Sequence, residues 1–300
     1  ANSIETGQKN IWRVKEAFTY KEELDGHFPT SPAAAEYKNY DRGTFEYTPF
    51  VWRDVTANDA EYWIKTSDIK SYSPNGKPVH EINALGIASG AIFGYNNTQI
   101  TGVAQNAVNT AISFESFENE YPYTIGPSST VTIYDNGIQK ESSNIESSSI
   151  AHTGVKSIRL RNENYFNISP TLNGGLDYVN DQKVLVQCWL RTENPSTFTT
   201  SLNVIGKTTS GVLSSIHTQN FELIQRCGEW SLYECVVDYS SVSNPSGLKV
   251  VYQMRCTGAN SYNTYVDDVR IQPLESEMVT YVYDDQYRIV ANFDSQHFAL

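Results

Sequence analysis

Along most of this chain, apolar and polar residues alternate in short runs of period two rather than at helical spacing, as in Ser157–Ile158–Arg159–Leu160–Arg161. Between residues 109 and 273 such runs recur with turn signals about every ten residues, the signature of a β-sandwich. The pattern predicts strands at Ala111–Glu118, Ser129–Tyr134, Ser157–Arg161, Val184–Arg191, Thr199–Val204, Trp230–Val237, Leu248–Cys256 and Thr264–Ile271. Eight strands suit a double-sheet jelly roll, so the fold class is read as all-β. The Ser-rich run Glu141–Ser149 is read as a loop. No long amphipathic helix is visible, and a short one is expected at most over Thr30–Tyr40.

Two zones flank the sandwich. Residues 1–108 form a β-rich N-terminal region with aromatic segments such as Gly43–Tyr47 and Ala60–Lys65. In it, Ser73–Pro74–Asn75–Gly76 separates two strand-like runs and signals a hairpin. The glycines within Asn83–Tyr95 imply a close approach of the backbone to a neighbour. Residues 277–300 read as the start of a further module: Val279–Tyr283 and Arg288–Phe293 alternate around Asp284–Asp285–Gln286. This stretch is expected to leave a strand edge that needs a partner and that orders only in a complex. The chain opens Ala1–Asn2–Ser3–Ile4–Glu5, with no signal-peptide pattern, and both ends read as cut from a longer polypeptide.

Composition narrows the function classes. The 20 Tyr and the Ser- and Thr-rich runs favour strands and turns. A formal net charge of −12 repels phosphate backbones and anionic lipid headgroups, which weighs against nucleic-acid and membrane-surface roles. No apolar run approaches the roughly 20 residues that span a bilayer. The four cysteines, Cys188, Cys227, Cys235 and Cys256, match no common zinc spacing. Their strand-like apolar context fits buried free thiols, with one or two disulfides as the alternative.

Five elements in sequence order make the middle zone resemble the galactose-binding-like jelly rolls of carbohydrate-binding modules. They are an opening strand ending Phe117–Glu118, the turn and strand Ala151–Leu160, the inner strand Gln187–Arg191, the turn Gly228–Glu229–Trp230, and the closing run Tyr265–Val269. The last zone resembles the RHS (YD-repeat) proteins: Tyr281, Tyr283, Asp284, Arg288 and Ile289 match that repeat, while Tyr287 stands where the family has glycine. The order of zones is similar to long cell-surface RHS-like proteins of the Bacteroidetes. The resemblance implies a non-catalytic structural or interaction segment of a large secreted or cell-surface bacterial protein. Its partners would be the remainder of that chain, polysaccharide, or other surface and secretion proteins. Alternatives are a genuine glycan-binding module of an adhesin or enzyme, part of a toxin-encapsulating shell, and an exported passenger in a secretion assembly.

The same resemblance implies a structural Ca²⁺ where the first and last strands meet, because this ion takes about six to eight hard oxygen ligands. Its donors would be Glu118 or Glu115, a carbonyl near Gly154–Lys156, and Asp267 or Asp268. Strict alternation puts Asp267 on the face of Val269 and Ile271, where an unpaired carboxylate is costly to bury. The competing reading leaves Asp267 and Asp268 exposed, or paired with Lys156 and Arg270. A sugar site would need aromatic rings to stack on pyranose faces. Trp230, Tyr233, Tyr262 and Tyr265 are the candidates, with Trp189 and Tyr252 as further rings and Asn260, Asn263 and Gln253 as polar partners. Trp189, between Cys188 and Leu190, reads instead as core.

Catalysis finds little support. The five histidines, at 27, 80, 152, 217 and 297, show no metal-ligand spacing, and no nucleophile motif occurs. Asn96–Asn97–Thr98 and Asn167–Ile168–Ser169 fit the glycosylation sequon, a pattern frequent by chance.

Overall fold

A computed structural model describes residues 12–20, 51, 54, 56, 63–118, 133–135, 138–141, 145–161, 165–170, 183–193, 199–207, 213–240, 249–257 and 263–299. The expected helix at Thr30–Tyr40, the segment Gly43–Tyr47, Asn260 and Tyr262 lie outside these residues. The chain divides into two compact units, one of residues 1–70 and 81–87, the other of residues 71–80 and 88–300. In the first unit, β1 (Glu16–Tyr20) runs antiparallel to β2 (Trp63–Tyr72), from Glu16↔Asp68 to Tyr20↔Trp63. Lys65 reaches Glu16 across this pair at 2.7 Å, an exposed contact of small energetic weight. After β2 the chain turns into β3 (Pro78–Asn83).

The second unit holds most of the described chain. It begins with β4 (Ala88–Gly94) and β5 (Gln99–Gln105) and continues through β6 (Ser113–Glu115), β7 (Ile133–Asp135), β8 (Ile138–Glu141) and β9 (Ile145–Ser148). Next come β10 (Ser157–Arg161), β11 (Tyr165–Pro170), β12 (Lys183–Thr192), β13 (Thr199–Lys207), β14 (Leu213–Asn220) and β15 (Glu222–Cys227). The last strands are β16 (Trp230–Asp238), β17 (Lys249–Thr257), β18 (Asn263–Pro273), β19 (Glu277–Tyr283) and β20 (Ile289–Phe293).

These strands build three sheets. The middle sheet has the order β15-β16-β12-β18-β10-β9, with β6 beside β18, and the outer sheet has the order β14-β13-β17-β11-β8-β7. The hairpin strands β4-β5-β19-β20 lie consecutively in the third. The first and last strands of the sandwich lie side by side, with Val269↔Glu115, Arg270↔Phe114 and Ile271↔Ser113 in register. The fold is thus all-β and antiparallel, as the alternation predicts. A short 3₁₀ turn spans Asn109–Ala111. No helix of the described residues is long and apolar enough to cross a membrane.

Two cores hold the layers. The first lies between the middle and outer sheets and contains Val186, Cys188, Leu190, Val266, Val269 and Ile271 on one side and Leu202, Tyr252, Met254 and Cys256 on the other. The second lies on the opposite face of the middle sheet, where Trp189, Trp230, Leu232 and Tyr265 pack with Ile92, Ala104, Met278, Val282 and Phe293 of the hairpin strands. A sheet covered on both faces cannot alternate between core and solvent. Accordingly β12 is buried without a break from Val184 to Leu190. Burial of this kind makes truncation of Trp189 cost about 3–5 kcal/mol.

Three sequence expectations change here and a fourth holds. Residues 145–148, read as loop, form β9 paired with β10. Leu213–Asn220 and Glu222–Cys227, which carry no apolar alternation, form β14 and β15 at sheet margins, so the sandwich exceeds eight strands. The stretch from 277 does not leave β19 as an open edge, because β19 pairs with β5 on one side and β20 on the other. The close approach expected of a glycine is real at Gly90, where a Cβ would stand 2.6 Å from the Asn109 nitrogen.

Candidate functional site

The junction of the first and last strands gathers the carboxylates singled out from the sequence. A β-bulge in β18 sets Asp268 and Val269 together opposite Cys188, since Asp267 pairs with Trp189 and Arg270 with Gln187. Asp268 takes a left-handed φ of 47° there. The bulge resets the alternation. Val266, Val269 and Ile271 share the first core, while Asp267 falls opposite Trp189 on the other face, contrary to strict alternation.

The loop at residues 150–156 supplies hydrogen-bond donors to these acids. The His152 backbone N–H donates to Asp267 Oδ2 at 2.7 Å, and the Thr153 hydroxyl donates to Asp268 Oδ1 at 2.9 Å. His152 Nδ1 lies 2.8 Å from Asp268 Oδ2, and its ring stacks on Trp189 with centroids 3.9 Å apart. Glu118 Oε1 accepts from the Val155 and Lys156 backbone N–H groups at 2.7 and 2.6 Å. Glu115 Oε1 accepts from the Phe117 N–H at 2.8 Å. Gly154 closes the loop at φ 63°, where a Cβ would stand 2.3 Å from Glu118 Oε1, so only glycine fits.

Burial is the main reason these acids resist ionisation. It raises Asp267 well above the usual carboxylate range, with the neighbouring Asp268 adding to the effect. It likewise raises Asp268 and Glu118. The reading of Asp267 and Asp268 as exposed, or as paired with Lys156 and Arg270, is corrected. Both aspartates are fully buried, and Arg270 donates instead to Gln187 and to the carbonyls of Met278, Asp294 and Ser295. The Lys156 ammonium donates to the Glu118 carbonyl at 3.3 Å. Among the described residues, no three or more His, Cys, Asp or Glu side chains are grouped closely enough to hold a metal as they stand.

Two of the rings expected to form a sugar platform are not available to a ligand. Trp230 and Tyr265 are buried in the second core beneath the hairpin strands, and Tyr233 packs against the first core. Trp189 is core, as read from its neighbours, and Tyr252 is fully buried with its hydroxyl bonded to Tyr239. Asn263 is tied to Glu193 by its side chain at 2.9 Å. A ring with no open face cannot stack on a sugar, so Trp230 and Tyr265 stabilise the fold instead. Cys188, Cys235 and Cys256 are buried free thiols, and Cys227 is an exposed one.

The solvent side of the outer sheet offers a different surface. Leu202, Tyr252 and Met254 point into the first core, so their strand neighbours Asn203 and Gln253 occupy the opposite face. Register places Thr218, Asn203, Gln253, Asn167 and Glu141 in one row across β14, β13, β17, β11 and β8. Asn203 Oδ1 accepts from the Thr218 hydroxyl at 3.1 Å, and its amide donates to Gln253 Oε1 at 3.4 Å. The adjacent row is Asn220, Ser201, Arg255 and Tyr165. Of these positions only Gln253 was named from sequence as a partner for a sugar. The signal for the rest was the polar half of each alternating strand, whose register no single strand reveals.

Comparison with known proteins gives no match to a protein-family model and none to a curated protein. Solved structures do align with this chain. The CBM22-1 xylan-binding domain from Paenibacillus barcinonensis Xyn10C aligns at 12% identity, covering 53% of this chain and 92% of that domain, with a TM-score of 0.33. The CBM22-2 xylan-binding domain of the same protein aligns at 15% identity, covering 54% and 98%, with a TM-score of 0.34. The family 30 carbohydrate-binding module of a Clostridium thermocellum cellulosomal cellulase aligns at 9% identity, covering 49% and 91%, with a TM-score of 0.33.

Proposed function

We propose that this chain is a non-catalytic interaction segment whose sandwich binds polysaccharide on the solvent side of its outer sheet. One observation carries the reading: the hydrogen-bonded polar row Thr218–Asn203–Gln253 lies on that face, while both faces of the middle sheet are covered. Amide side chains donate and accept at once, as a chain of hydroxyl groups requires. Ser201 and Asn220, placed by register in the adjacent row, would extend the contact surface. A secreted or cell-surface setting in an RHS-like bacterial protein suits this role, with the hairpin strands as the support. The test is affinity electrophoresis of the chain through gels containing soluble xylan, hydroxyethylcellulose or mixed-linkage glucan. Retarded migration in at least one gel is expected, and unchanged migration in all of them overturns the reading.

A structural Ca²⁺ at the strand junction belongs to the same proposal. Buried Asp267, Asp268, Glu115 and Glu118 gather carboxyl oxygens beside one loop, and hard carboxylate oxygens are the donors this ion takes. The cation would draw these side chains closer than they now stand and favour their ionised forms. Thermal melts in about 1 mM CaCl₂, the range in which weak structural sites fill, and in excess EDTA distinguish the outcomes. A higher midpoint with calcium, lost in Asp267→Asn, is expected; identical midpoints for the wild-type chain overturn the cation.

A further inference from the structure

Four turns among the described residues share one hydrogen-bond pattern. In each, the first residue donates its N–H to the fifth carbonyl, and its own carbonyl accepts from the fourth N–H. The distances are 2.8 and 2.8 Å at Ser73–Lys77, 3.1 and 3.0 Å at Asn83–Ile87, 2.9 and 3.0 Å at Asp284–Arg288, and 3.0 and 3.1 Å at Asp294–Phe298. The first side chain also accepts from the fifth N–H: Ser73 from Lys77, Asn83 from Ile87, Asp284 from Arg288 and Asp294 from Phe298. The fourth residue is left-handed every time, with φ 77° at Gly76, 78° at Gly86, 61° at Tyr287 and 68° at His297. Two of these turns precede the sandwich and two follow it.

The strands on either side of the sandwich meet as consecutive hairpin strands would. β5 and β19 pair antiparallel from Gln105↔Glu277 to Gly102↔Thr280. At the seam the Asn106 side chain donates to the Glu275 carbonyl at 3.1 Å, and the Asn106 N–H donates to the Ala88 carbonyl at 2.8 Å. We propose that the sandwich is an insertion between two neighbouring strands of one strand–turn ribbon, and that ribbon and insertion form a single cooperative unit. Buried Arg270 of the sandwich fastens the two, donating to the Met278, Asp294 and Ser295 carbonyls of the ribbon at 3.0, 2.7 and 2.9 Å. The Trp189 indole N–H adds a bond to the His297 carbonyl at 3.3 Å. The ribbon supplies Ile92, Ala104, Met278, Val282 and Phe293 to the core that covers the sandwich's middle sheet.

Hydrogen exchange of the whole chain across a urea series tests this, read on the amides of β12 and β18 and on those of β5 and β19. Both sets are expected to open at one midpoint, and Phe293→Leu is expected to lower the two midpoints by the same amount. Opening of β5 and β19 at lower urea, with β12 and β18 still protected and unshifted in the variant, overturns the proposal. A protease site placed between Leu274 and Glu275 gives a second readout. After cleavage, the fragment beginning at Glu275 is expected to co-elute with the remainder in native buffer; its release without denaturant overturns the seam pairing.

Discussion

At the residue scale, His297 illustrates what burial does to a titratable side chain. It is fully buried, and neither ring nitrogen has a hydrogen-bond partner among the described residues. Desolvation, with Arg270 and His152 adding positive charge, holds its pKa well below the ordinary value. The folded state therefore keeps the ring neutral while the unfolded chain protonates it as pH drops below about 6.5. Stability is lost as pH falls through that window, by about 1.4 kcal/mol per unit until the folded pKa is reached. The raised carboxyls Asp267 and Glu118 act in the opposite sense: their contribution is present at acid pH and fades as pH rises. The informative quantity is thus the difference between wild type and His297→Asn, a residue that tolerates the left-handed φ. Urea melts between pH 7 and 4.5 are expected to show a flatter acid limb in the variant. Parallel curves would show that the ring titrates alike in both states.

Single residues were legible in sequence where chemistry and backbone agreed, and less so elsewhere. Glu118, Asp267 and Asp268 were found because acids at the first and last strands of a sandwich converge wherever those strands pair. The face of Asp267 was not found, because a bulge leaves no mark in an alternating run. Tyr287 stands where the resembled repeat has glycine, and the structure gives it the left-handed φ that glycine would adopt most easily.

At the scale of elements, glycines in the hairpin strands report how closely each strand is approached. A Cβ at Gly90 would meet backbone, 2.6 Å from the Asn109 nitrogen and 2.7 Å from the Val108 carbonyl carbon. At Gly102 the nearest atom, at 2.7 Å, is the terminal methyl of Met278, a flexible side chain. Gly90→Ala is therefore expected to cost about 1–3 kcal/mol, and Gly102→Ala distinctly less. Chemical denaturation of the two variants checks the order, and equal costs would contradict it. Strand positions followed from alternation wherever one face met solvent, as for β13. The margins β14 and β15 escaped because a strand held mainly by backbone pairing needs no apolar face. The uninterrupted burial of β12 was visible as Val–Leu–Val–Gln–Cys–Trp–Leu but could not say what lay on each side.

At the scale of the molecule, the larger of the two units is a three-layer stack, and this decides which surface can meet a ligand. Trp189, Trp230 and Tyr265, among the aromatic residues that looked suited to a sugar, are spent on the contact between the middle sheet and the hairpin strands. That layer was hidden from a linear reading, because its strands come from either side of the sandwich in sequence and meet only in space. What stays open on the sandwich is the polar face of the outer sheet. Each neutral hydrogen bond made there contributes about 1 kcal/mol, so losing two weakens binding by about tenfold or more.

Isothermal titration of the Asn203→Ala/Gln253→Ala double variant with whichever polysaccharide retards the wild-type chain tests the central claim most directly. Affinity reduced at least about tenfold, with a thermal midpoint close to wild type, is the result expected from a ligand lying on the outer sheet. Unchanged affinity in a folded double variant would contradict it and move the binding surface elsewhere.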